Sequence, residues 1–120
     1  RYKHVMVQKY LNAVKKGDKR VFIINGKICG AIKRVPKKNS ILSNISQGGR
    51  AYLTKLSTRE IKISKTIAKD LKKNNIYFAG IDIIDNYLSG DINVTSPTGL
   101  KTLMDLSGLN LSKFFWSQLK

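Results

Sequence analysis

Apolar and polar positions along this chain switch between short alternating or continuous runs and one long helical stripe. His4 to Leu11 carries β-formers with little helical periodicity, which predicts a short strand. Gly17-Asp18 predicts a turn, and Arg20 to Asn25 a mostly apolar strand. Asn25-Gly26 follows at once. Both residues tolerate the positive φ of a type I′ turn, so the chain is expected to double back as a hairpin. The return strand runs from Lys27 to Val35 and stops at Pro36, with Gly30 marking a weak point or a bulge. From Pro36 to Arg50 only Ile41, Leu42 and Ile45 offer apolar anchors. A loop of about 15 residues is uncommon inside a compact domain and is usually functional, so 36–50 is expected to be a mobile lid.

Beyond it, Ser57-Thr58-Arg59-Glu60 has the spacing of a capping box. Ile63, Ile67 and Leu71 follow at i, i+4 and i+8, flanked by Ile61 and Ala68, and predict an amphipathic helix over 58–74. Ile76 to Ile84 reads as a buried strand, Asp85-Asn86 as a turn, and Tyr87 to Thr95 as the antiparallel partner. Pro97-Thr98-Gly99 opens a short helix through Leu106, and a second helix spans Leu109 to Leu119. No internal repeat interrupts this order. Hairpin, loop, helix, hairpin, helix predicts an α+β fold, an antiparallel sheet with helices packed on one side.

The 120 residues suffice for one domain with one core. No apolar run approaches the ~20 residues of a membrane span. The first residues, Arg1-Tyr2-Lys3-His4, lack both an initiator Met and a signal-peptide pattern, and read as a cut through a longer protein. Cys29 is the single cysteine, which excludes an internal disulfide and a cysteine-based metal site and fits a reducing, cytoplasmic setting. The formal charge of +16 raises the question of nucleic acid. Yet 18 of the 23 basic residues are lysines scattered along the chain, and Ile and Asn are also abundant, as A/T-rich codons produce. Lys62, Lys65, Lys69, Lys72 and Lys73 form one solvated helix face. A nucleic-acid reader would interleave aromatics with such charges. Phe114, Phe115 and Trp116 instead cluster near the C-terminus, where packing explains them. Neither nucleic acid nor membrane is the expected partner.

Only seven residues are acidic, so their placement carries information. Asp82 interrupts an otherwise apolar strand, and a buried carboxylate pairs, binds a metal or stays protonated. Asp91 and Asn93 stand two apart, which in a strand puts both on one face. With a turn at Asp85-Asn86, a regular hairpin sets Asp82 opposite Ser89 and diagonal to Asp91, ~7–8 Å away. Two carboxylates and an amide oxygen without His or Cys suit a hard cation such as magnesium. The same residues also fit a simpler pattern, Asp82 paired with a lysine and Asp91 capping a turn after Gly90.

Six short blocks, in order, decide between these patterns: Met6-Val7-Gln8-Lys9-Tyr10-Leu11, Gly17-Asp18-Lys19-Arg20-Val21, Arg34-Val35-Pro36, Gly48-Gly49-Arg50, Gly80-Ile81-Asp82-Ile83-Ile84 and Asp91-Ile92-Asn93-Val94-Thr95-Ser96-Pro97-Thr98-Gly99. Together they resemble the motifs of bacterial glutathione synthetases, a family within the ATP-grasp ligases. The resemblance implies the C-terminal portion of an ATP-grasp domain over residues 1–120. It also implies an ATP-dependent ligase that joins γ-glutamylcysteine to glycine through an acyl phosphate, with Mg2+ or Mn2+. The full-length enzyme would be a homo-oligomer with small-molecule substrates, and the portion before Arg1 would be required for activity. By the same resemblance, Gln8, Lys9, Tyr10 and Leu11 form the adenine hinge and Asp18 lies near the nucleoside. Arg20 lies near the dipeptide or its developing phosphate, and Arg34 contacts phosphate, which its planar fork suits. Asp82, Asp91 and Asn93 hold magnesium, Ser96, Thr98 and Gly99 sit near the peptide, and Asn44 and Arg50 belong to the lid. Either arginine also fits an ordinary ion pair, and Ser96-Thr98 an ordinary helix start. Three departures stand out: Asp91 where the family has Glu, one extra residue between Asp82 and Asn93, and Leu42-Ser43-Asn44 where the family has R-G-N. The extra residue predicts a bulge at Ser89-Gly90. The rival readings are another ATP-grasp carboxylate–amine ligase and, from charge alone, a nucleic-acid-binding module.

Overall fold

The computed structural model describes residues 17–36, 49–84, 87–94 and 98–119, with the side chains of 87–91 outside the description. The chain runs β1 (Asp18–Ile24), β2 (Lys27–Val35), β3 (Arg50–Leu53), α1 (Thr58–Lys73), β4 (Phe78–Ile84), β5 (Tyr87–Asn93), α2 (Leu100–Ser107) and α3 (Leu111–Ser117). The strands form one antiparallel sheet in the order β3-β2-β1-β4-β5. The predicted strand at 4–11 and the interior of the predicted lid, 37–48, lie outside the described residues.

β1 is central and the most completely buried strand, with Val21, Phe22, Ile23 and Ile24 all essentially buried. It turns into β2 at Asn25 and Gly26, whose φ values of 50° and 72° are those of the predicted type I′ turn. The register of β1 against β2 slips by one at Cys29, since Phe22 faces Gly30 and Ile23 faces Ile28. The bulge expected at Gly30 is therefore present. A β-carbon on Gly30 would come within 3.0 Å of Leu103 Cδ2, so the missing side chain makes room for α2.

α1 begins as predicted. The Ser57 side chain accepts from the Glu60 amide at 3.1 Å, and Glu60 Oε1 accepts from the Ser57 amide at 2.8 Å. Such caps contribute about 1 kcal/mol. The same Glu60 oxygen pairs with Lys19 Nζ at 2.7 Å, tying the helix start to β1. The buried line of α1 runs through Glu60, Ser64, Ala68 and Leu71, a quarter-turn from the expected Ile63-Ile67-Leu71 stripe. Small residues bring the helix closest to the sheet, and Ile67 packs at the flank. The five lysines predicted to form a solvated face are exposed.

The α+β class and antiparallel sheet stand, but the one-sided arrangement does not. Val21, Ile23, Ala31, Ala79, Ile81 and Ile83 pack against Ala68 and Leu71 of α1. Phe22 and Ile32, on the opposite face, pack against Leu103 of α2 and Leu111 of α3. Strand alternation makes both faces of the central strands apolar, so each requires a cover. β3 was not predicted: four residues are too few for alternation to register, and Tyr52 and Leu53 stay about half exposed at this edge. Among the described residues no helix is long and apolar enough to cross a membrane.

Candidate functional site

Alternation divides β1 by chemistry as well as by face. Asp18, Arg20, Phe22 and Ile24 point to the side of α2 and α3, and their polar half lies at one end of the sheet. The antiparallel neighbours bring matching groups to that end: Asp18 pairs in register with Arg34 of β2, and Arg20 with Asp82 of β4. Four charged side chains, none more than 13% exposed, thus meet beside an apolar core.

Their contacts form one network. Arg20 Nε donates to Asp82 Oδ1 at 2.9 Å and Arg20 Nη2 to Oδ2 at 3.1 Å. Arg34 Nε donates to Asp18 Oδ1 at 2.9 Å and Nη2 to Oδ2 at 2.5 Å. The same Arg34 Nη2 lies 3.2 Å from Asp82 Oδ1 and joins the two pairs. Bidentate guanidinium–carboxylate pairs fix both angle and distance, which single ammonium contacts cannot. Burial disfavours the charged form of Arg34, yet the hydrogen bond and charge of Asp18, with Asp82 behind, hold its pKa above the ordinary arginine value. Arg34 is a fixed cation.

The remaining nitrogen of Arg20 reaches the start of α2. Arg20 Nη1 donates to the Thr98 carbonyl at 3.1 Å and to its hydroxyl at 3.2 Å. Gly99 makes that approach feasible: its φ is 98°, and a β-carbon there would lie 3.2 Å from Ile32 and 3.3 Å from Phe22. The Thr98-Gly99 turn therefore rests directly on the sheet.

Across β4, Asn93 faces Gly80, two residues from Asp82, so Asn93 and Asp82 share a face at diagonal positions. Ile83 pairs with Leu88 but Ile81 with Ile92, which leaves Ser89, Gly90 and Asp91 opposite Asp82 alone. The predicted bulge is there, and it replaces the regular Asp82–Ser89 pairing. The donors described, a carboxylate and an amide on one face, fit a hard cation such as magnesium and offer nothing to a soft one. Among the described residues no three His, Cys, Asp or Glu cluster for a metal.

The structure brings together Asp18, Arg20, Arg34, Asp82, Asn93, Thr98 and Gly99. Arg50 stands apart: it opens β3 opposite Val35, exposed, while its neighbour Ala51 takes the face of Arg34. Gln8, Lys9, Tyr10, Leu11, Asn44 and Ser96 lie outside the described residues, as does the side chain of Asp91. Sequence reasoning passed over Lys19, which points to the other face and anchors α1 through Glu60 and the Lys55 carbonyl at 3.0 Å. Its signal was the Asp-Lys-Arg triplet itself, whose alternation sends the middle charge away from the other two. Burial, only partly opposed by the Ile24 backbone and Lys27, pushes the Cys29 thiol up, so it is no thiolate at neutral pH.

This sheet, flanked on both faces and carrying charged residues at one end, is the ATP-grasp fold. Solved structures of the ATP-grasp ligase PsnB, one with a phosphomimetic variant of its minimal precursor, Mg and ADP, match it with a TM-score of 0.58 at 17% identity. That match covers 87% of this chain and 33% of the other. A second PsnB structure, with minimal precursor, Mg and ADP, gives 0.56 at 16% identity over the same shares of 87% and 33%. Residues 1–108 match the family model of the prokaryotic glutathione synthetase ATP-grasp domain, and the chain belongs to that family. The glutathione synthetase of Rhodopseudomonas palustris is 40% identical over 115 residues, covering 96% of this chain and 36% of the relative. That of Prochlorococcus marinus subsp. pastoris is 44% identical over 108 residues, covering 90% and 35%. The chain spans about a third of the length of these curated relatives.

Proposed function

We propose that the chain is the C-terminal portion of the ATP-grasp domain of a glutathione synthase, which ligates γ-glutamylcysteine and glycine with ATP. The observation that carries this reading is the buried Asp18–Arg34–Asp82–Arg20 network opening toward Thr98. A carboxylate oxygen of the dipeptide attacks the γ-phosphorus as the bond to ADP breaks, giving an acyl phosphate. The glycine amine then attacks the acyl carbon, loses a proton, and phosphate leaves. Both steps gather negative charge at one point, and fixed cations that need no reorganisation stabilise it best. Arg34, whose Nε and Nη2 are taken by Asp18, would offer its Nη1 to phosphate, and Arg20 links Asp82 to the turn where the peptide would lie.

Asp82, Asp91 and Asn93 would hold magnesium, with manganese an acceptable substitute, which would supply positive charge to neutralise the ATP phosphates. Gln8, Lys9, Tyr10 and Leu11 would meet the adenine, Ser96, Thr98 and Gly99 the peptide, and Asn44 and Arg50 of the 36–50 lid the reacting groups. The full-length enzyme would be a cytoplasmic homo-oligomer. The test is ADP release by the full-length parent with γ-glutamylcysteine, glycine, ATP and Mg2+. We expect turnover that Arg34→Ala lowers by about 10²–10³-fold, the scale of one lost charge-stabilising donor. Faster turnover of a different carboxylate–amine pair would support another ATP-grasp ligase instead.

A further inference from the structure

We infer that Asp18 is a positioning residue for Arg34, acting on the phosphate end of the site through that guanidinium and not by contact with the nucleoside. The inference rests on the ligase reading above. Asp18 is 9% exposed, and both its oxygens accept from Arg34, at 2.9 and 2.5 Å. The pair is built into the sheet, because Asp18 and Arg34 are direct partners in the β1–β2 register. The preceding residue tightens it further. Gly17 has φ +96°, and a β-carbon there would sit 2.1 Å from the Arg34 carbonyl, so the chain enters β1 pressed against the backbone of Arg34. Asp18 thus fixes the plane of the guanidinium, and with Asp82 3.2 Å from the same Nη2, Nη1 is the nitrogen left to face a ligand.

A guanidinium so held presents Nη1 to a phosphate without first losing rotamer freedom; without Asp18 it would relax toward Asp82. Misplacing a catalytic group by about 1 Å costs on the order of 10²-fold in rate.

The experiment uses the full-length parent protein, with ATP turnover, inhibition by adenosine (which has no phosphate) and thermal melting recorded for each variant. Asp18→Asn is expected to lower kcat about 10²-fold while leaving adenosine inhibition unchanged. Arg34→Ala alone and Asp18→Asn with Arg34→Ala are expected to agree within roughly twofold, because residues acting as one unit are not additive. Millimolar guanidinium ion should restore part of the activity of Arg34→Ala and none in the double variant, where its carboxylate cradle is gone. Should Asp18→Asn melt too early to assay, Asp18→Glu, which keeps the charge, takes its place and should retain more activity than Asp18→Ala. Weakened adenosine inhibition, multiplicative losses, or equal rescue in both backgrounds would overturn the inference while wild-type turnover stands. A wild type without ATP-dependent turnover would overturn the ligase reading itself, and this inference with it.

Discussion

Replacing Arg20 with Met removes the guanidinium and keeps most of the apolar stem. Arg20 is 6% exposed and makes four hydrogen bonds, two to Asp82 at 2.9 and 3.1 Å and two to Thr98 at 3.1 and 3.2 Å. Breaking a buried pair from one side costs about 3–5 kcal/mol, mostly because the surviving charge is left without compensation. Here Asp82 keeps the 3.2 Å contact from Arg34, so the loss should fall near the lower end, ~3 kcal/mol. Replacing both partners, Arg20→Met with Asp82→Leu, removes the charge to be compensated, and such exchanges for packed apolar residues are often neutral. The double variant should therefore be more stable than Arg20→Met alone, with a coupling energy of about 2 kcal/mol. Urea unfolding at neutral pH, followed by far-ultraviolet circular dichroism, measures all four corners of the cycle. Losses that add within about 0.5 kcal/mol would refute the claim that these groups act as a buried pair.

Two further outcomes follow from α1. The Lys19 hydrogen bond and the Ser57 amide outweigh burial and hold the Glu60 carboxyl below its ordinary value. Its stabilisation is thus complete above the unfolded carboxyl pKa, about 4.3, and is lost as pH falls through the lower folded value. Melting temperature against pH should fall less steeply in acid for Glu60→Gln than for wild type; parallel curves would contradict this. Ser64 is fully buried and its hydroxyl has no hydrogen-bond partner among the described residues, so Ser64→Ala should raise stability by about 1 kcal/mol in the same urea assay. A loss would mean that the hydroxyl is satisfied after all.

What the sequence made legible was local. Asn25-Gly26, the Ser57–Glu60 box and the apolar runs of β1 and β4 depend on residues adjacent in the chain, and each formed where expected. The presence of a bulge at Ser89-Gly90 was also readable from one extra residue, but not its extent, since two residues too many, within Ser89–Asp91, leave the ladder. Three features were not legible because they depend on distant pairing. β3 is defined by its partner more than by its own pattern, and the side on which α2 and α3 pack follows from the sheet register. The partners of Asp82 were hidden for the same reason. A lysine was the simplest expectation, yet strand register delivers two arginines, from 62 residues away in the case of Arg20.

That substitution of arginine for lysine bears on why the charges are there. A sheet needing only stability would extend the Phe22–Ile32 face to both ends, because buried ion pairs rarely outdo packed hydrocarbon. Instead the buried charges of this face are confined to one end of β1, β2 and β4, and every described guanidinium there is forked onto a carboxylate. Arginine cannot discharge by losing its proton, so the cations persist at any pH the cell reaches. Two fixed cations balanced by two carboxylates are electrically quiet without a ligand and, under the proposed function, would need little rearrangement when phosphate and a divalent ion arrive together. Preorganisation of this kind gives stabilisation where charge develops in a transition state, and under the proposed function it accounts for buried ion pairs set beside the Phe22–Ile32 core.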